Sequence, residues 1–133
     1  MNALSRMIEA VRPGGLILDL QVIRPNPWVE LNGRVVAEID GEALFRCADA
    51  ATAAIDARIR AGDLVEETVD DHDVRKHYTD GAELVEDFAE SKRRLPTERV
   101  PVVAAIKESL VVRERCRLRR LRSPGQRLVE TQA

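Results

Sequence analysis

At 133 residues the chain is the size of one domain, with 44% hydrophobic and 33% charged side chains, well clear of the compositions that stay disordered. Its 21 basic and 23 acidic residues leave a formal charge of -2, so no overall field draws it to nucleic acid or anionic lipid. Aromatic residues make up only 3%, which leaves base-stacking platforms and aromatic cages little to be built from and calls for an aliphatic core.

No apolar run approaches the roughly 20 residues that span a bilayer. Arg6, Glu9 and Arg12 interrupt any signal-peptide core. Cys47 and Cys116 have no metal-type spacing and make no secreted disulfide framework, so reduced thiols in a cytoplasmic protein are expected.

In chain order, Leu4, Met7, Ile8 and Val11 have helical spacing and run into Arg12-Pro13-Gly14-Gly15, which ends a short helix. Leu16 to Ile23 is a nearly continuous apolar run, the pattern of a central strand covered on both faces. Pro25 and Pro27 break it. Asn32-Gly33, between Trp28–Leu31 and Arg34–Ile39, is a strong hairpin signal. Asp40 is placed to cap a long alanine-rich helix to Ala61, with Leu44, Cys47, Ala48, Ala51, Ile55 and Ile59 on its apolar face and Gly62 beyond its end. Leu64 to Tyr78 alternates as a strand, and Thr79-Asp80-Gly81 opens a helix carrying Leu84, Val85 and Phe88. A short helical stretch follows Pro96 and runs to Ile106, and Leu110 to Leu121 alternates as a half-buried edge strand. The pattern predicts one α/β domain over residues 1–122 and a flexible tail over 123–133.

Met7 to Asp19, with its helix, Arg-Pro-Gly-Gly turn and immediate aliphatic strand, resembles the helix and turn that lead into the fifth strand of class I, Rossmann-like, S-adenosylmethionine-dependent methyltransferases. Val11 stands at that family's leucine position, and Arg12, Pro13, Gly14 and Gly15 match its pattern. Element order agrees over most of the chain, residues 41–62, 63–78, 79–109 and 110–122 following the family's later helices and strands. The resemblance implies a partial Rossmann-like sheet of the later strands, one of them antiparallel, with packed helices and an inserted hairpin at 27–39. It further implies that the cofactor-holding strand, glycine-rich turn and acidic residue lie outside this chain. Gly14-Gly15 precedes a strand, whereas a cofactor loop follows one and opens a helix. The implied protein is methyltransferase-like and truncated or partner-dependent. It binds no cofactor alone, and S-adenosylmethionine only when completed by a separately encoded N-terminal half. A sheet edge left open also predicts a homo-oligomer or a hetero-partner.

Several residues are candidates for chemistry. Asp19 and Gln21, near the end of the apolar strand, point to the crevice where open α/β sheets bind ligands. His72 and His77 are candidate general bases, and Tyr78 joins Asp19 and Gln21 as a cleft residue. On an extended strand Asp71, Asp73 and His77 share one face, a conceivable divalent-ion site, although a polar strand end explains the same residues more simply. Arg113, Arg115, Arg117 and Arg119, extended by Arg120 and Arg122, could track phosphates; a solvated face paired with carboxylates is the favoured reading. No nucleophile elbow or Walker loop is present. The competing expectation is a non-catalytic α+β binding or assembly module whose contact surface is the hairpin and the arginine strand.

Overall fold

The computed structural model of the chain describes residues 3–124. All but the first two residues of the expected tail lie outside them. The elements are α1 (Ala3–Ala10), β1 (Leu16–Val22), β2 (Trp28–Leu31), β3 (Arg34–Glu38), α2 (Glu42–Arg60), β4 (Val65–Tyr78), α3 (Gly81–Phe88), a 3-10 turn (Thr97–Arg99), α4 (Val100–Ala104) and β5 (Leu110–Arg122). Each predicted element is present within a few residues of its expected bounds. No helix among the described residues is long and apolar enough to cross a membrane.

The strands join in the order β1-β5-β2-β3, with β4 also on β5. The expectation of a largely parallel sheet is corrected, because the strand pairs are antiparallel. The last strand is the reason: β5 is the common partner of β1, β2 and β4 and runs against each of them. It is therefore no edge strand.

The described residues divide into two compact units interleaved in sequence, with α2, β4 and β5 contributing to both. The first unit holds α1, most of β1, residues 49–60 of α2, 65–71 of β4 and 117–122 of β5. Its core is Ile17, Ile55, Leu64 and Leu121, on which Leu4, Ile8, Val11 and Ile59 pack. Leu4, Ile8 and Val11 recur at helical spacing, which is why α1 lays one stripe on this core. Where β5 meets β1, Ser123 N donates to Gly15 O at 2.9 Å and Gly14 N donates to Ser123 O at 3.2 Å. The same stretch of β5 pairs with β4, so in this unit β5 lies between β1 and β4.

The second unit holds β2, β3, the start of α2, residues 72–78 of β4, α3, α4 and residues 110–116 of β5. Asn32 at φ 51 and Gly33 at φ 80 form the predicted hairpin turn, where both central residues must be left-handed. The hairpin carries a register shift between Val29 and Glu30. Val29, Ala37, Ile39, Tyr78, Leu84, Phe88, Val103, Leu110 and Val112 form the core. Asp80 caps α3 by accepting from Glu83 N at 2.9 Å, and Thr79 bonds the Glu83 carboxylate.

Two expected faces are corrected. On α2 the buried residues include Phe45, Ala48 and Ile55, while Cys47 is exposed. On β1 only Ile17 is buried, and Leu16, Leu18 and Leu20 remain 40%, 62% and 53% exposed, so the strand is covered on one face rather than two.

Candidate functional site

Residues at i and i+2 of a strand share a face, and this brings the two predicted cleft residues of β1 together in the first unit. Gln21 Nε2 donates to Asp19 Oδ1 at 2.7 Å. Asp19 Oδ2 is shut away from solvent with no hydrogen-bond partner among the described residues. Both side chains line a cavity of about 230 Å³ whose other walls include Leu4 and Met7 of α1, Ile17 of β1 and Ala54 and Ile55 of α2. The small alanine side chains of α2 leave this space open, since a larger residue there would fill it. Asp19 is the single charged group in the lining.

Tyr78 is placed differently from the expectation. At 4% exposure it belongs to the second unit's core, with its ring edge-on to Phe88 at 6.3 Å and its hydroxyl donating to Asp87 Oδ2 at 2.6 Å. Lys76 Nζ donates to the same carboxylate at 3.1 Å and sits over the Tyr78 ring. Burial, reinforced by the adjacent Asp87 carboxylate, raises the Tyr78 phenol above its ordinary range, and the Tyr78 hydroxyl and Lys76 hold the Asp87 carboxyl below its own. The phenol is thus fixed as a neutral donor and the carboxylate as an ionised acceptor. Arg93 makes a forked pair with Glu114 beside them. An open groove of about 890 Å³ runs along this cluster, with Lys76, Glu83, Glu86, Asp87, Lys92 and Arg93 on its walls. Sequence reasoning missed Asp87, Arg93 and Glu114. Asp87 arrives on α3, Arg93 on the segment after it and Glu114 on β5, the strand that pairs with β4, and their spacing along the chain carries no trace of this meeting.

The histidines are not brought into either place. His77 is exposed and His72 half-buried, five residues apart on β4 and so on opposite faces by strand alternation. Asp71 and Asp73 are engaged by cations: Arg117 binds Asp71 through two nitrogens at 2.8 and 2.9 Å, and Arg115 and Arg113 reach Asp73 at 3.1 and 3.4 Å. Carboxylates neutralised by guanidinium groups are poor metal ligands. Among the described residues, no group of three or more His, Cys, Asp or Glu side chains could hold a metal ion.

The arginine run is a set of ion pairs. Arg119, 7% exposed, joins Glu66 at 2.6 Å and Asp56 at 2.8 Å, and Arg120 and Arg122 share Glu67. Arg113 also reaches Glu30 at 3.3 Å. Burial works to lower the Arg119 pKa, and the hydrogen bonds it donates to Asp56 and Glu66 more than reverse it. Nor do the arginines form one face. Leu110, Val112 and Cys116 are the buried residues in the second unit's part of β5, but Arg119 and Leu121 are buried in the first unit's part, so the alternation changes phase. Burial raises the Cys116 thiol pKa, as expected of an inert core cysteine.

Comparison of the chain with protein-family models, curated proteins and solved structures finds no match.

Proposed function

We propose that the chain supplies the later strands of a Rossmann-like, S-adenosylmethionine-dependent methyltransferase sheet and acts with a partner that holds the cofactor. One observation carries this reading: in the first unit the last strand, β5, lies between β1 and β4 and runs against both. Two strands of like direction separated by a late, reversed strand is the arrangement that the Arg12-Pro13-Gly14-Gly15 resemblance implies for the end of such a sheet. The exposed Leu16, Leu18 and Leu20 of β1, a strand with no second neighbour among the described residues, offer a surface for the remaining half.

The glycine turn and the cavity of the first unit do not suit the cofactor. Gly14 and Gly15 lead into β1 instead of opening a helix after a strand. The apolar cavity of about 230 Å³ is also smaller than the roughly 300–1,000 Å³ of pockets that enclose whole ligands of drug or cofactor size. No step of methyl transfer is assigned to this chain alone.

The test is calorimetric titration with S-adenosylmethionine, first of the chain alone and then of the chain with the polypeptide encoded immediately upstream. We expect no binding in the first case and saturable binding in the second. A mixture that binds no S-adenosylmethionine overturns the proposal. A non-catalytic assembly module is the second reading, favoured by the Tyr78-Asp87-Lys76 cluster, whose groups already bond one another. It expects a stable complex that ignores S-adenosylmethionine.

A further inference from the structure

The cavity of the first unit joins two features that seldom coincide. Its walls are apolar, from Leu4 and Met7, Ile17, and Ala54 and Ile55, and one of its lining residues, Asp19, has a carboxylate that is one hydrogen bond short. A buried acceptor without a donor is costly, and most such groups in folded proteins find a partner or an ordered water. Gln21 satisfies only Oδ1. The lining residues include no cation that could neutralise the carboxylate.

We propose that this cavity binds a short primary alkylammonium, with the chain among the apolar walls and the ammonium on Asp19. Sign and geometry both select this class. A single carboxylate with no basic neighbour repels anions, and one carboxylate is too few ligands for a metal ion. A charged donor bonds a carboxylate roughly twice as strongly as a neutral one. The size also agrees, since an apolar cavity of about 150 Å³ already admits a benzene-sized molecule and this one is larger. Met7, 46% exposed, is part of the lining, so the cavity communicates with solvent. On binding, the Asp19 carboxylate is expected to turn about its soft terminal torsion and share its two oxygens between Gln21 and the ammonium. This site is independent of the methyltransferase reading.

Titration with n-hexylamine, 1-hexanol and hexanoate near neutral pH tests it. The amine is expected to bind about tenfold more tightly than the alcohol, the gap that a charge-assisted hydrogen bond supplies. Hexanoate is expected not to bind. Asp19→Asn, which keeps the shape and the Gln21 contact, is expected to remove the gap, and Ala54→Leu, which fills the space, to abolish binding of amine and alcohol alike. Equal affinity for amine and alcohol, no binding of the amine, or an undiminished preference in Asp19→Asn each overturns the proposal. Should Asp19→Asn fail to fold, the three probes on the unaltered chain decide alone. None of these readouts involves S-adenosylmethionine, so this proposal and the methyltransferase reading fail separately.

Discussion

Tyr78 shows what one side chain's surroundings do to its chemistry. It is the chain's single tyrosine, so phenolate absorbance reports on it alone. Its folded pKa is raised above the ordinary 10.0 by burial and by Asp87. The neutral phenol's contribution to stability is therefore complete below pH 10 and is lost as pH climbs through the folded value. Asp87 has the opposite sign: its pKa is lowered from 3.8, so its contribution holds above that value and is lost as pH falls through the folded one. We expect an alkaline titration to show no phenolate until the chain unfolds, with absorbance and circular dichroism changing together. Tyr78→Phe should cost about 1 kcal/mol at neutral pH in urea denaturation, the worth of one hydrogen bond, while Lys76 keeps Asp87 paired. Phenolate appearing in the folded state near pH 10 would refute the assignment. The sequence marks Tyr78 as chemically interesting, since it follows His72, Asp73 and His77 on one polar strand. It does not show that the ring points into a core, because the Leu84 and Phe88 that enclose it arrive on a later helix.

Among the elements, α3 is the one whose seat is most sharply defined. Its first residue, Gly81, donates its backbone N–H to Ile106 O at 2.9 Å, and a Cβ placed there would stand 1.7 Å from Val103 O. Backbone cannot give way as a flexible side chain can, so Gly81→Ala should destabilise the protein by about 3 kcal/mol or more, or prevent folding. Thermal or urea denaturation with the neighbouring Ala82→Gly as a control checks this, the control costing only about 1 kcal/mol of helix propensity. A Gly81→Ala protein as stable as wild type would mean that α3 is not seated on α4 as described. From sequence Gly81 reads merely as a helix-start residue. The elements themselves were legible because their signals are local: Pro13 and Gly14 stop α1, Asn32-Gly33 turns the hairpin, and Thr79-Asp80-Gly81 opens α3. The burial of β1 was not legible. A strand apolar on both faces is compatible with two covers or with one, and only the arrangement of α1 and α2 on the Ile17 side shows that the described residues supply one.

For the whole molecule, the exposed row on β1 is the feature that most constrains behaviour. Leu16, Leu18 and Leu20, on a strand with one partner among the described residues, invite either a second copy or a different chain. Leu18→Glu is therefore expected to raise solubility and reduce association in sedimentation velocity. Its effect on the unfolding midpoint should be small, within about 0.5 kcal/mol, because the side chain is 62% exposed. If wild type and Leu18→Glu sediment alike, as monomers, over the full concentration range, β1 is no interface. What the sequence by itself determined is the inventory: which stretches are helix or strand, where they stop, a near-neutral charge and an aliphatic core, all set by periodicity, caps and turn residues acting over a few positions. The tertiary structure alone decided that β5 is the shared partner of β1, β2 and β4 and not an edge, that its arginines pair with Asp71, Asp73, Glu66 and Glu67, and that Asp19 Oδ2 has no hydrogen-bond partner among the described residues beside a cavity. Those outcomes depend on which distant segments meet, and hydrogen bonds and ion pairs between residues some 40 to 55 positions apart leave no periodic mark on the chain.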